Sequence, residues 1–301
     1  MPKRIAMNLS AGIASSSVAL TLVVLKLWAL GETHALSVAA SLADSAMDLM
    51  VSLGGLAALI YAARPADDDH TYGHTAAEDL AALAQSLFIM ASAGVIGWAA
   101  IDRLLNPEAT PLYNQTSGMV VMSVSIVLTA GLVLWQRYVL RHTCSKVIEA
   151  DSLHYLGDLI PNIGAIASLW ISKSFGLGQI DSVVALGAAL MLAVGAIRIF
   201  KRAWDALMDR AAPDEVIEEA TRIIRDWPGV FGYHDLQTRM SGSRYFFTVH
   251  IELDGQKTLD ETHAVAAALR RALLRAYPGS YVMIHQDPAG VEPHPDDPSR
   301  H

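Results

Sequence analysis

A single cysteine, Cys144, stands among 301 residues. That excludes an intrachain disulfide and any thiolate metal cluster, and leaves Cys144 as a spare thiol near a helix end. Charge is scarce as well. Only 17% of the residues are Asp, Glu, Lys or Arg, against 52% hydrophobic, which is too apolar for an ordinary soluble protein of this length. The net charge is −8, so the chain has no basic excess with which to hold nucleic acid. It has no internal repeat of fixed period, and no nucleophile–base arrangement that would suggest an enzyme.

The charge that is present is unevenly spread. Residues 1–208 hold 12 Lys and Arg and 15 Asp and Glu, whereas residues 209–301 hold 10 and 15 in less than half the length. The first stretch reads as membrane and the second as a soluble domain, 209–290, followed by a Pro- and charge-rich tail, 291–301, read as disordered. About 20 apolar residues cross the hydrocarbon core, and six stretches are long enough: 9–30, 35–62, 79–105, 116–141, 147–172 and 179–201. The first is a retained transmembrane helix and not a cleaved signal, because its apolar run is too long. Basic residues gather at Lys3 and Arg4, at Arg137, Arg141 and Lys146, and at Arg198, Lys201 and Arg202, all on one side if six helices alternate. By the positive-inside rule both termini are expected to be cytoplasmic; the inner (plasma) membrane is the expected location. Lys26, near the outer end of helix 1, is expected to snorkel to the interface.

Beyond residue 208 the texture is α+β. "PDEVIEEATRIIRDW" is an amphipathic helix with acids in its first turns, and "GYHDLQTRMSG" and "SRYFFTVHIELD" are strands around a Ser-Gly turn. "TLDETHAVAAALRRALLRAY" is a second helix and "GSYVMIHQDP" a third strand, giving the order αββαβ.

Three constellations carry chemistry. In the second apolar stretch Ser37, Ser41, Asp44, Asp48, Ser52 and Gly55 recur at steps of three or four, one polar stripe on an apolar helix. A charge at mid-bilayer costs at least about 2.5–3.5 kcal/mol, so two aspartates there require a proton, a basic side chain or a cation. The fifth stretch carries Asp151, His154, Asp158 and Asn162 at matching steps, and neither helix has a Lys or Arg at that depth. Asp44, Asp48, His154 and Asp158 are four N/O ligands, the number and type for tetrahedral Zn2+ or a similar divalent ion. A proton relay through the same residues is the competing reading. The two overlap, since an imidazole must release its proton before it takes metal. The loop "ADDDHTYGH" offers Asp67, His70 and His74 at steps of three and four, with Asp68 and Asp69 solvated. In the soluble domain His234 and His250 lie on the first two strands, His263 near the start of the second helix, and His285 and Asp287 on one face of the last strand. Four histidines and an aspartate in so small a domain read as a further metal site.

These residues resemble the cation diffusion facilitators, and the bacterial zinc and iron exporters among them in particular. The likeness runs over about residues 5–290 through "SLADSAMDLMVSL", "PADDDHTYGHTAAEDLAALAQSLFI", "ADSLHYLGD", "LMDRAAPDE" and the "HDL", "HIELD" and "IHQDP" series. The resemblance implies a six-helix transmembrane bundle with a metallochaperone-like, ferredoxin-type cytoplasmic domain through which two subunits pair. It implies a transport site at Asp44, Asp48, His154 and Asp158, a loop site at Asp67, His70 and His74, and a two-metal site at His234, His250, His263, His285 and Asp287. It implies export of Zn2+, and also Cd2+ and Fe2+, against inward protons by alternating access in a homodimer. No organic cofactor is implied. Relatives carry a Lys two residues after the second loop histidine, paired with an Asp after helix 6. Here those positions are Ala76 and Asp209, so that charge pair is expected to be missing. Two other readings stay open: a membrane metal sensor that does not transport, and a transporter of another substrate that uses the acids for protons alone.

Overall fold

A computed structural model describes residues 2–33, 36–106, 116–159 and 180–290. The chain divides into two compact units, Pro2–Trp204 and Asp205–His301.

The first unit is helical. Its elements are α1 (Pro2–Thr33), α2 (Leu36–Ala62), α3 (Ala76–Leu105), α4 (Thr116–Thr143), α5 (helical over 146–159) and α6 (Ile180–Leu207, running into the second unit). Four spans among the described residues are long and apolar enough to cross a membrane: Arg4–Trp28, Ser45–Ala62, Ala76–Asp102 and Ser123–Thr143. In lipid a spanning segment must satisfy its own backbone, which a helix does. Large apolar side chains such as Trp28, Val95, Trp98, Leu134 and Leu190 point outward, as lipid-facing residues do. The second half of the fifth expected span, with Pro161 and Asn162, lies outside the described residues, as does the tail.

Inside, the helices meet through apolar residues, alanines prominent among them. Ala11, Leu59, Val139, Val147 and Ile148 join α1, α2, α4 and α5. Ala82, Ile89, Ala93, Ala150, Leu192, Ala196 and Ile199 join α3, α5 and α6. The α5/α6 contact is reciprocal. A Cβ on Gly157 of α5 would sit 2.9 Å from Leu192 of α6, and one on Gly195 of α6 would sit 2.6 Å from Leu153 of α5. Each glycine receives the other helix's leucine, the close approach that small residues give membrane helices. Between α4 and α5 the backbone turns at Cys144, which is exposed and has a φ of 57°.

The second unit has the expected order: α7 (Asp214–Arg225), β1 (Gly232–Ser241), β2 (Arg244–Leu253), α8 (Leu259–Ala276) and β3 (Tyr281–Pro288). The sheet order is β1-β2-β3, with β1/β2 antiparallel and β2/β3 parallel. Side chains alternate across a strand. Phe247, Val249, Ile251 and Leu253 of β2 therefore fill the core with Ala220 and Ile224 of α7 and Ala266, Leu269 and Leu273 of α8. Phe246, Thr248, His250 and Glu252 occupy the opposite face. Thr258 and Glu261 form a capping box that starts α8. One irregularity interrupts β1. Its register on β2 shifts between His234 and Gln237, where Asp235 takes a φ of 51°.

Candidate metal sites

α2 and α5 bring the first constellation together. His154 Nε2 lies 2.9 Å from Asp48 Oδ1. Asp48, His154 and Asp158 each offer a ligand atom within 4.8 Å of the others. The i, i+4 step on α5 sets His154 and Asp158 on one face. The imidazole is 8% exposed and walled by Phe88 of α3, whose ring meets it edge-on at 5.8 Å, and by its neighbour Tyr155. Asp44 lies on α2 one turn before Asp48; its side chain falls outside the described residues.

One turn before His154 lies a buried network that includes a residue of the same stripe. Asp151 Oδ2 accepts from Gln136 Nε2 of α4 at 2.7 Å, and its Oδ1 from Ser52 Oγ of α2 at 3.4 Å. Ser52 Oγ is 2.9 Å from the Tyr155 hydroxyl and accepts from Ser15 Oγ of α1 at 2.9 Å. Four helices thus meet on one carboxylate beside the cluster. Its sequence signal is the common spacing: Asp151 precedes His154 by three residues and Ser52 follows Asp48 by four.

Two basic residues are placed otherwise than the sequence suggests. Lys26 does not turn to the interface; its Nζ donates to Ser45 Oγ of α2 at 2.6 Å. A helical side chain tilts toward the N-terminus of its helix, which near the C-terminal end of α1 is back along the span. Lys146 is not a solvated charge between α4 and α5. It opens α5 and pairs with Asp79 of α3 at 2.7 Å, both side chains buried and beside the buried Glu78.

The loop cluster forms with its three members in contact. Asp67 Oδ1 accepts from the His70 backbone N–H at 2.7 Å and lies 3.3 Å from His70 Nδ1, while Asp67 Oδ2 is 3.2 Å from His74 Nε2. That backbone N–H, aided by the two histidines, holds the Asp67 carboxyl below the usual range. His74 is buried, its Nδ1 3.1 Å from the Pro65 carbonyl and its ring edge-on to Tyr61. A carbonyl at Nδ1 fixes the proton there and leaves Nε2 as the ligand atom, the outer-shell arrangement of metal-binding histidines. Asp68 and Asp69 are exposed.

In the second unit the sheet register makes the cluster. His234 pairs with His250 and His250 with His285, one rung across all three strands on the face away from the helices. Asp287, two residues beyond, places Oδ2 3.0 Å from His250 Nδ1 and 3.5 Å from His234 Nε2, and Oδ1 3.3 Å from His285 Nε2. Each oxygen of one carboxylate thus faces its own histidines. Glu252 joins at the edge, 3.5 Å from His234. Its signal is alternation, since Glu252 follows His250 by two. His263 is exposed on α8 and does not belong to the group of His234, His250 and Asp287 that converges on one point.

Asp209 follows α6 in a left-handed backbone conformation and accepts from Arg239 Nη1 of β1 at 3.0 Å.

Two family models match the chain: the cation efflux transmembrane domain over residues 12–208, and the cation efflux protein cytoplasmic domain over residues 212–289. The chain is similar to the cation-efflux pump FieF of Klebsiella pneumoniae, 40% identical over 94% of this chain and 93% of that one. FieF of Citrobacter koseri is 41% identical over the same shares. Among solved structures, the zinc form of CzrB covers 29% of this chain and 99% of its own at 31% identity, with a TM-score of 0.27. The metal-bound C-terminal domain of the CzcD transporter from Thermotoga maritima covers 26% and 93% at 24% identity, with a TM-score of 0.25.

Proposed function

The chain belongs to the cation efflux family, and from that premise we propose that it is a Zn2+/H+ antiporter that exports divalent metal, Zn2+ first and also Cd2+ and Fe2+. Membership makes it an integral membrane transporter of divalent cations and not an enzyme; the metal, the proton coupling and the residues below are our reading. The observation that carries it is the convergence of Asp48, His154 and Asp158 from two helices, with His154 Nε2 2.9 Å from Asp48 Oδ1. Asp44, one turn away on α2, is the fourth ligand.

The chemistry follows from what those atoms accept. A carboxylate and an imidazole nitrogen each bind either a proton or a metal ion, not both at one lone pair. Metal arriving at the cluster displaces protons, and protons arriving from the other side displace metal. Exposing the cluster to one side and then the other, in a six-helix bundle paired as a homodimer, turns that competition into antiport. With both termini cytoplasmic in the inner membrane, metal leaves the cell as protons enter. Asp67, His70 and His74 form a cytoplasmic loop site.

In the soluble unit the donor set fits resident Zn2+: neutral imidazole nitrogens and a carboxylate with atoms within 4.8 Å. His234, His250 and Asp287 would hold one ion, and His285 with the other Asp287 oxygen a second; His263, on the helix that packs against the other face of the sheet, stands apart from both. Bound there, Zn2+ supplies charge that fixes the sheet edge for subunit pairing.

The test is flux in proteoliposomes under an imposed pH gradient, with Zn2+, Cd2+, Fe2+ and Mn2+ compared. Zn2+ movement that requires the gradient and disappears in Asp48→Ala is the expected result. Binding without flux would make the protein a sensor, and gradient-driven flux insensitive to Asp48→Ala would place the site elsewhere.

A further inference from the structure

Three contacts mark the seam between α2 and α5. Asp48 meets His154 at 2.9 Å, and Ser52 meets Asp151 at 3.4 Å. One turn further on, a Cβ on Gly55 would lie 3.3 Å from Val147 Cγ1. Gly55 follows Asp48 by seven residues and Val147 precedes His154 by seven. That is two turns, about 10 Å along each helix. This end of the seam is also where α5 starts, with Lys146 paired to Asp79 of α3.

α3 closes the seam there with an amide. Gln85 is 7% exposed, and its Nε2 lies 2.8 Å from where a Cβ of Gly55 would be, so the glycine leaves the amide its place. Phe88, three residues on, is the ring that walls His154, and Glu78, seven residues back, is buried on the same face of α3. Neither Nε2 nor Oε1 of Gln85 has a hydrogen-bond partner among the described residues. Gln136 Oε1, on the amide that holds Asp151, is likewise unmet. A buried amide with both ends unmet is costly, and an apolar side chain of similar shape would fill the same space without that cost. The amide therefore points to a ligand. Its carbonyl oxygen accepts a cation and its two N–H groups donate to water oxygens. A divalent ion that keeps part of its water shell uses both ends at once.

We propose that Gln85, seated at Gly55, is a transit site for the partly hydrated divalent cation, two turns from the α2/α5 site on the way to it from the cytoplasmic end of the bundle. This rests on the assignment of Asp48, His154 and Asp158 to the transport site and on cytoplasmic termini. A neutral amide suits such a place. It draws the ion in past the apolar contacts of α2, α3 and α5 yet holds it weakly enough to pass it on. A carboxylate there would keep it.

The experiment uses the full-length chain. Zn2+ flux is read in proteoliposomes. Zn2+ binding is read by titration against a chelating dye at pH 8, with His74→Ala and His250→Ala to silence the other two clusters. Gln85→Leu is expected to lower the maximal Zn2+ flux by about tenfold, the scale of one lost hydrogen bond to a charged group, and to leave the Zn2+ affinity of the α2/α5 site unchanged. Gln85→Glu turns a place of passage into one of retention, and the silenced chain carrying it is expected to bind one Zn2+ more than its parent. Parental flux in Gln85→Leu, the result for an amide that holds only a structural water, overturns the proposal. A fall in affinity as large as the fall in flux, the result for a structural support, overturns it too. If Gln85→Leu does not fold, Gln85→Glu decides, and no added ion overturns the proposal. Asp48→Asn in the same titration keeps the two ideas apart. If it binds Zn2+ as the parent does, the site assignment fails. If it loses Zn2+ while Gln85→Leu transports as the parent does, only the role of Gln85 fails.

Discussion

Lys146 and Asp79 meet at 2.7 Å with both side chains almost wholly out of solvent, one opening α5 and the other in the first turn of α3. A buried pair is weak evidence for stability, but half of one is costly. Lys146→Met takes that cation away from Asp79 and its neighbour Glu78 and is expected to lower stability by about 3–5 kcal/mol. The double variant Lys146→Met, Asp79→Leu is expected to recover most of that loss. Thermal unfolding in detergent of the two single variants and the double gives the cycle directly.

Asp287 offers one oxygen to His250 and His234 and the other to His285. Its loss therefore reaches both halves of the cluster. Asp287→Ala is expected to remove all Zn2+ held by the soluble unit, and His285→Ala only part of it. Metal content of the full-length chain after dialysis, compared across the two variants, checks the order. Equal losses would mean that the carboxylate is not shared.

Gly195 and Gly157 each admit a leucine from the facing helix. A methyl group on Gly195 would meet Leu153 Cδ2 at 2.6 Å, so the helices must part or the leucine must leave its rotamer. Gly195→Ala is expected to cost about 1–3 kcal/mol. Since Leu153 immediately precedes His154, Zn2+ affinity at the α2/α5 site is expected to fall with it. Leu153→Ala in the same chain makes room and is expected to restore part of the stability, read as a rise in melting temperature.

The Asp67 carboxyl is held low chiefly by the His70 backbone N–H. The sign is that of a depressed acid: the ordered loop gains from the ionised form at neutral pH, and that gain is lost as pH falls from the ordinary carboxylate value to the lowered one. Acidification should therefore begin to loosen the loop only below the ordinary carboxylate value. An NMR titration of Asp67 is expected to give a midpoint under the ordinary 3.8. Asp67→Asn removes a proposed ligand and is expected to weaken Zn2+ at this loop by about tenfold or more.

The stripes on α2 and α5 were legible because a helix in lipid makes every polar residue expensive, so spacing alone reports a shared face. The soluble fold was legible from an amphipathic helix with acids in its first turns and from strand runs around a Ser-Gly turn, and its αββαβ order stands. What escaped was the direction of long side chains. Hydropathy places Lys26 near a helix end and Lys146 between two helices. It does not say that the first leans inward to Ser45 or that the second is swallowed by the α3/α5 contact. Asp151 and Glu252 escaped for a different reason. Each sits on the correct stripe, but its partners come from elements brought together only by packing: Gln136 and Ser52 for one, His234 for the other. The membrane-span count stands at four among the described residues.

The irregularity in β1 decides which face His234 occupies. Upstream of it His234 pairs with His250, while downstream Gln237 pairs with Thr248, so two residues on β1 stand opposite Val249 alone. The bulge at this point is therefore as much a ligand determinant as any histidine. Ironing it out at constant chain length would set Asp235 opposite His250 and carry His234 round to the side where Ile251 packs on the helices. Every ligand residue would survive in the sequence, the sheet would still pair, and the metal would lose one of its holders to a shift in parity.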